Sequence, residues 1–111
     1  MYTPAKTASY ERRVAMAYRQ AYPGVAPYAA HVPLALVIEC VWTHPASWSK
    51  RRKAASKWRT SAPDADNVVK AVSDALNGIA WHDDAQIVCA VAKKRYGSKA
   101  RVDVRIWEVA V

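Results

Sequence analysis

The sequence predicts an α+β fold, a small mixed sheet of about three to four strands packed with two main helices. Two stretches carry apolar residues at helical spacing, and three others alternate or run apolar as strands do. No internal repeat or low-complexity tract interrupts them. At 111 residues the chain makes one domain, residues 1–111, with no room for a second core.

Residues 7–22 read as the first helix. Tyr10, Val14, Ala17 and Ala21 recur on one side, arginines fill the others, and Pro23-Gly24 stops the run. Residues 31–42 read as a strand. Leu34, Leu36, Ile38, Cys40 and Trp42 share one face, and Ala35, Val37 and Val41 make the other largely apolar too, so the strand is central. Residues 67–77 form the clearest helix, with Val68, Val69, Val72, Ala75, Leu76 and Ile79 on the apolar side. Asp66 or Asn67 can cap its start, and Gly78 ends it. Residues 86–96 and 101–109 alternate as strands, the second with Val102, Val104 and Ile106 inward and Arg101, Asp103 and Arg105 outward. Tyr96-Gly97-Ser98-Lys99 lies between them as a turn, which predicts an antiparallel hairpin.

Charge narrows the function. Seventeen basic residues against nine acidic ones leave a net charge of +8, which draws a polyanion, and nucleic acid is the commonest such partner. A membrane is excluded as a partner because the longest apolar run, residues 32–42, is too short to span and contains Pro33 and Glu39. No charged leader with an apolar core opens the chain, so the expected location is the cytoplasm, or the host's for a phage-encoded protein. Cys40 and Cys89 sit singly in apolar runs without metal-type spacing and are read as small, buried, unbridged hydrophobes.

The basic charge is concentrated. Residues 43–63 hold no acid, and Lys50, Arg51, Arg52, Lys53, Lys57 and Arg59 crowd into ten residues beside Trp48 and Trp58. Such a run is ordinarily a solvated face or loop. In a chain of this charge the sharper reading is a segment that contacts DNA phosphates and stays loosely ordered until they arrive.

The acids are concentrated as well: Asp64, Asp66, Asp74, Asp83 and Asp84 are five of the nine. Asp66, Lys70 and Asp74 follow at four-residue steps on one helical face. Asp83 and Asp84 precede the next strand, and pairing of that strand beside the 31–42 strand could return Asp84 towards Asp64 and Asp66. Each acid has an ordinary reading, as a cap, an ion pair with Lys70 or a turn. Together, carboxylates held close repel and raise one another's pKa. A hard cation such as Mg²⁺ removes that conflict, since it binds through one or two carboxylates plus water and phosphate oxygens.

The run PDADNVVKAVSDALNG followed by DDAQIV resembles the signature of the RusA-type Holliday junction resolvases, small endonucleases frequent in phages. The similarity is high over residues 63–96 and extends weakly to YTPAKT near the start and to the basic tract. It implies a RusA-like fold and an endodeoxyribonuclease that resolves four-way junctions by paired symmetric nicks, in recombination, repair or phage DNA processing. It implies that Asp64, Asp66 and Asp84 are catalytic carboxylates binding Mg²⁺, with Mn²⁺ as an alternative. It makes Lys70 the lysine needed for cleavage and leaves Asp74 and Asp83 supporting. His82 is read as a turn residue. Family members commonly carry a basic N-terminal strand before the Tyr-Thr-Pro segment, whereas this chain opens Met1-Tyr2-Thr3-Pro4; either the start is misassigned or the domain lacks that edge strand and some of its phosphate contacts. Paired nicks in symmetry-related strands require two equal sites, hence a homodimer on branched DNA. The rival readings are a non-catalytic DNA-binding protein that keeps the fold, and a nuclease on other branched DNA or on RNA.

Overall fold

A computed structural model describes residues 4–110 of the chain, with side chains described from residue 9. The segment expected to resemble the family's Tyr-Thr-Pro begins outside the described residues. In chain order the elements are helix α1 (Pro4–Ala21), strand β1 (Leu34–Trp42), short helix α2 (Lys50–Ala55), helix α3 (Ala65–Leu76), one 3-10 turn (Asp84–Gln86), and strands β2 (Ile87–Tyr96) and β3 (Arg101–Glu108). The α+β expectation holds, with a three-stranded sheet ordered β2-β1-β3.

The most apolar strand lies in the centre, as its composition requires. Leu34, Leu36, Ile38 and Cys40 turn one face of β1 towards Val68, Val72 and Leu76 of α3 and towards Ala80 and Trp81. Burying side chains of this size stabilises by roughly 1.5–3 kcal/mol each. Tyr10, Val14 and Tyr18 of α1, with Val104 and Ile106 of β3, close over the same cluster. The buried stripe of α1 therefore runs through Tyr18 and not through Ala17 and Ala21, which are exposed. A tyrosine ring removes far more apolar surface from water than an alanine methyl, and the helix is rotated accordingly. On the opposite face Val37 pairs with Val91 and Ala35 with Trp107, and both Val91 and Trp107 are exposed. Glu39 there bridges Arg95 at 3.0 Å and Arg101 at 3.7 Å.

The hairpin expectation is overturned. β2 and β3 do not pair with each other but flank β1, β2 running parallel to it and β3 antiparallel. The turn between them crosses the end of β1, where Gly97 N–H donates to Trp42 O at 2.8 Å. β1 has two hydrogen-bonding edges to satisfy, and one strand on each side satisfies both, which a β2–β3 hairpin would not. Only glycine fits the crossing point, because a Cβ on Gly97 would stand 2.7 Å from Val41 Cγ1. The parallel β1–β2 pair needs a crossover connection, and α3 is that crossover.

The two thiols part company. Cys40 is buried as expected, whereas Cys89, on the other face of the sheet, is exposed; both are free. The alternation of β2 carries Cys89 away from the helices. Among the described residues no helix is long and apolar enough to cross a membrane.

Candidate active site

Asp64 occupies the position just before α3, with extended backbone (φ −68°, ψ 152°), and its carbonyl accepts the first helical hydrogen bond from Val68 N–H at 3.1 Å. The cap is thus Asp64 and not Asp66 or Asn67. Its carboxylate is exposed and makes no capping hydrogen bond. Asp66 is exposed in the first turn. Both carboxylates stand at a helix start, where the partial positive charge of the backbone amides favours negative groups. Lys70 lies one turn further and Asp74 the next, both exposed. The ion pair between them that spacing allows is not formed among the described residues.

The turn that delivers Asp64 hangs from two cations. Lys94 Nζ, on β2, donates to Ser61 O at 2.9 Å and to Pro63 O. Arg59 donates to Ala62 O from Nε at 3.0 Å and from Nη2 at 2.8 Å. Residues 57–59 run beside the outer edge of β2, with Arg59 N–H to Lys94 O at 2.9 Å and Tyr96 N–H to Lys57 O at 2.8 Å. This short antiparallel rung is the sheet's nearest approach to a fourth strand.

The basic segment is built, not loose. Ser49 Oγ caps α2 by accepting from Arg52 N–H at 3.1 Å, and His44 shares a hydrogen bond with Ser56 O at 2.8 Å. The His44 and Tyr96 rings stack at 4.6 Å, Trp48 meets Tyr96 edge-on at 5.3 Å, and Arg52 lies 3.8 Å over Trp48. Lys57 sits over Trp58 at 4.9 Å and Arg59 over Trp42 at 4.6 Å. Rings brace the cations, which explains the interleaving of Trp with Lys and Arg in the sequence. Lys50, Arg51 and Arg52 remain exposed, Lys53 is half-buried, and the Arg59 guanidinium is turned onto Ala62 O.

Asp84 lies elsewhere. Its Oδ1 accepts from Trp81 Nε1 at 2.8 Å, and Trp81 is fully buried beyond the last turn of α3, where Gly78 N–H bonds Trp81 O. Asp83 caps the 3-10 turn, accepting from Ala85 N–H at 2.9 Å, so its contribution is to the backbone. His82 is exposed in the turn, as expected. Gln86, which sequence reasoning assigned no role, is buried and commits its whole side-chain amide. Its Oε1 accepts from His82 and Asp83 N–H, and its Nε2 donates to Ala29 and Val32 O. The glutamine of the D-D-x-Q motif thereby fixes the Asp83–Asp84 turn against the entry to β1.

β2 does pair beside β1, as the return of Asp84 required, but the pairing is parallel. Leu34 is opposite Ile87 and Trp42 opposite Tyr96, so Asp84 sits where β1 begins while Asp64 sits where β1 ends. The 12 residues of α3 separate the two ends by about 18 Å. One protomer thus brings Asp64 and Asp66 together and leaves Asp84 apart. Among the described residues no group of three or more His, Cys, Asp or Glu side chains is gathered to hold a metal ion.

Residues 1–107 match the family model described as Endodeoxyribonuclease RusA. The chain is 33% identical over 116 aligned residues to the uncharacterized protein YqaN of Bacillus subtilis (strain 168), covering 99% of this chain and 80% of that protein. It is 39% identical over 61 residues to the crossover junction endodeoxyribonuclease rusA of Lactococcus phage r1t, covering 54% of this chain and 47% of that one.

Proposed function

The chain belongs to the RusA endodeoxyribonuclease family, and from that membership we propose a Mg²⁺-dependent, structure-selective enzyme that resolves four-way DNA junctions as a homodimer. The observation that carries the reading is the start of α3, where Asp64 and Asp66 stand exposed and, among the described residues, form no ion pair, next to a ring-braced basic surface. Two hard oxygen donors beside a phosphate-binding surface fit Mg²⁺, or Mn²⁺, with the remaining positions left to water and phosphate oxygens. A cation bound there offsets charge on the phosphoryl oxygens and lowers the pKa of a bound water.

The chain's own residues supply the rest. Asp64 and Asp66 hold and orient the reacting end of the site. Lys70, one turn along the same helix face, stabilises the negative charge that gathers on the phosphoryl group. Lys50, Arg51, Arg52, Lys53 and Lys57 hold the backbone of the DNA arms, with Arg59 fixed at their inner margin. Asp84 is at the wrong end of α3 to join Asp64 and Asp66 of its own chain, so we assign it to the site of a second copy. A two-fold dimer built in this way makes each site depend on both protomers and presents two equal sites to the symmetry-related strands of a junction.

The test is an end-labelled four-way junction incubated with Mg²⁺ and with EDTA. Paired nicks that require Mg²⁺ are expected, and Asp66→Asn should bind the junction normally and leave it uncut. Binding without metal-dependent breakage would identify a non-catalytic DNA-binding protein. Equal cutting of flap, duplex or RNA substrates would place its specificity elsewhere.

A further inference from the structure

We propose that Lys94, together with Arg59, is a positioning residue that sets the Asp64–Asp66 end of the site, an inference that rests on reading those two aspartates as metal ligands. Ser61, Ala62 and Pro63 present three consecutive carbonyls, and all three accept hydrogen bonds from these two side chains. No backbone–backbone hydrogen bond involves residues 60–63 among the described residues. The cations therefore do for this turn what a ladder of amides does elsewhere.

The clamp is itself anchored. Arg59 N–H bonds Lys94 O, so the two side chains spring from adjoining positions on paired backbone. The Arg59 guanidinium is held over Trp42, the last residue of β1, and Lys94 is opposite Cys40 on the same strand. The sheet's central strand thus sets where the turn sits, and the turn sets where Asp64 enters α3. Lys94 forms no ion pair among the described residues and spends its ammonium on two backbone carbonyls, which separates it from the lysines offered to phosphate.

Three variants of the full chain, Lys94→Met, Lys94→Arg and Arg59→Met, are compared with wild type by hydrogen exchange and by Mg²⁺ titration of junction cleavage. In Lys94→Met the Val68 amide, which closes the first turn onto Asp64 O, is expected to exchange faster while the Leu36 and Ile38 amides do not. Half-saturating Mg²⁺ should rise about tenfold, the lower range for losing an outer partner of a metal ligand, with junction affinity in EDTA unchanged. Lys94→Arg, which keeps charged donors, should recover most of both effects. Wild-type exchange at Val68 with a wild-type Mg²⁺ requirement would overturn the inference. So would a loss of junction affinity in EDTA without a change in the Mg²⁺ requirement, which would make Lys94 a phosphate contact. If Lys94→Met fails to fold, Arg59→Met removes the other half of the clamp, and exchange at Val68 together with the Mg²⁺ requirement decides; its junction affinity is not used, because Arg59 borders the basic surface. If wild type does not cut at all, the resolvase reading falls, while exchange at Val68 still decides whether the clamp exists.

Discussion

Cys40 and Cys89 carry the same side chain in similar sequence surroundings and meet opposite fates. Burial raises the Cys40 thiol pKa above its ordinary 9.0, opposed in part by the Lys94 ammonium and a hydrogen bond with Tyr10, so at neutral pH Cys40 is a protonated, inert core residue. Cys89 is exposed. Alkylation of the native chain at neutral pH is expected to label Cys89 alone, and labelling in denaturant should add Cys40; two labels on the native chain would contradict the burial. The pH dependence has a definite sign. A thiol whose pKa is raised in the folded state stabilises below its unfolded value and loses that contribution as pH climbs through the folded one. Burial moves Tyr18 in the same direction from 10.0, helped by Tyr28 and Tyr22. Stability should therefore decline on the alkaline side, and less steeply in Cys40→Ala.

At the scale of elements, one helix and one glycine decide the arrangement. α3 places Asp64 at one end of the sheet and returns the chain at the other, so the distance between the aspartates is set by the crossover and not by their spacing in sequence. Gly97 allows the second half of the sheet to pass over the end of β1. Adding a methyl there sets it 2.7 Å from Val41 Cγ1, and Val41 is buried at 3% exposure and has little room to yield. Gly97→Ala is expected to lower stability by about 1–3 kcal/mol, the usual range for forcing atoms into packed space. A shift of the urea midpoint at unchanged slope would measure it, and no shift would mean that the crossing is looser than described.

At the scale of the whole molecule the separation of Asp84 from Asp64 and Asp66 becomes a statement about assembly. If each site takes Asp84 from the partner, then mixing Asp66→Asn with Asp84→Asn subunits should restore nicking, although each variant alone is dead. The mixed dimer would contain one site with all its carboxylates and one with neither Asp66 nor Asp84, so it should produce single nicks without paired resolution. If each chain completed its own site, no mixture could cut. The same view explains the uneven charge that stands out in the sequence. Cations on α2 and the rung beside β2 gather at the end of the sheet that carries Asp64 and Asp66, so DNA would be attracted to the end where the carboxylates are exposed.

Much of this was legible in the residues alone. Helical periodicity placed α1 and α3, the apolar residues of 31–42 announced a central strand, and the D-x-D-N-x-x-K and D-D-x-Q elements marked the start of α3 and the turn before β2. Local patterns carry this information because propensity, capping and amphipathicity act over a few residues. Strand partnership is a contest between distant segments for the same amides, so two alternating runs joined by a short turn could not reveal that β1 would take both of them. Nor could composition reveal which thiol would be covered, that Gln86 would brace the second aspartate pair, or that Lys94 would reach back to residues 61 and 63 from a strand thirty positions later. The sequence by itself determined the elements and the chemistry available at their ends. The tertiary structure alone decided which ends meet, because that depends on how the sheet satisfies its edges, and the parallel pairing it chose leaves Asp84 opposite to where the other two aspartates stand.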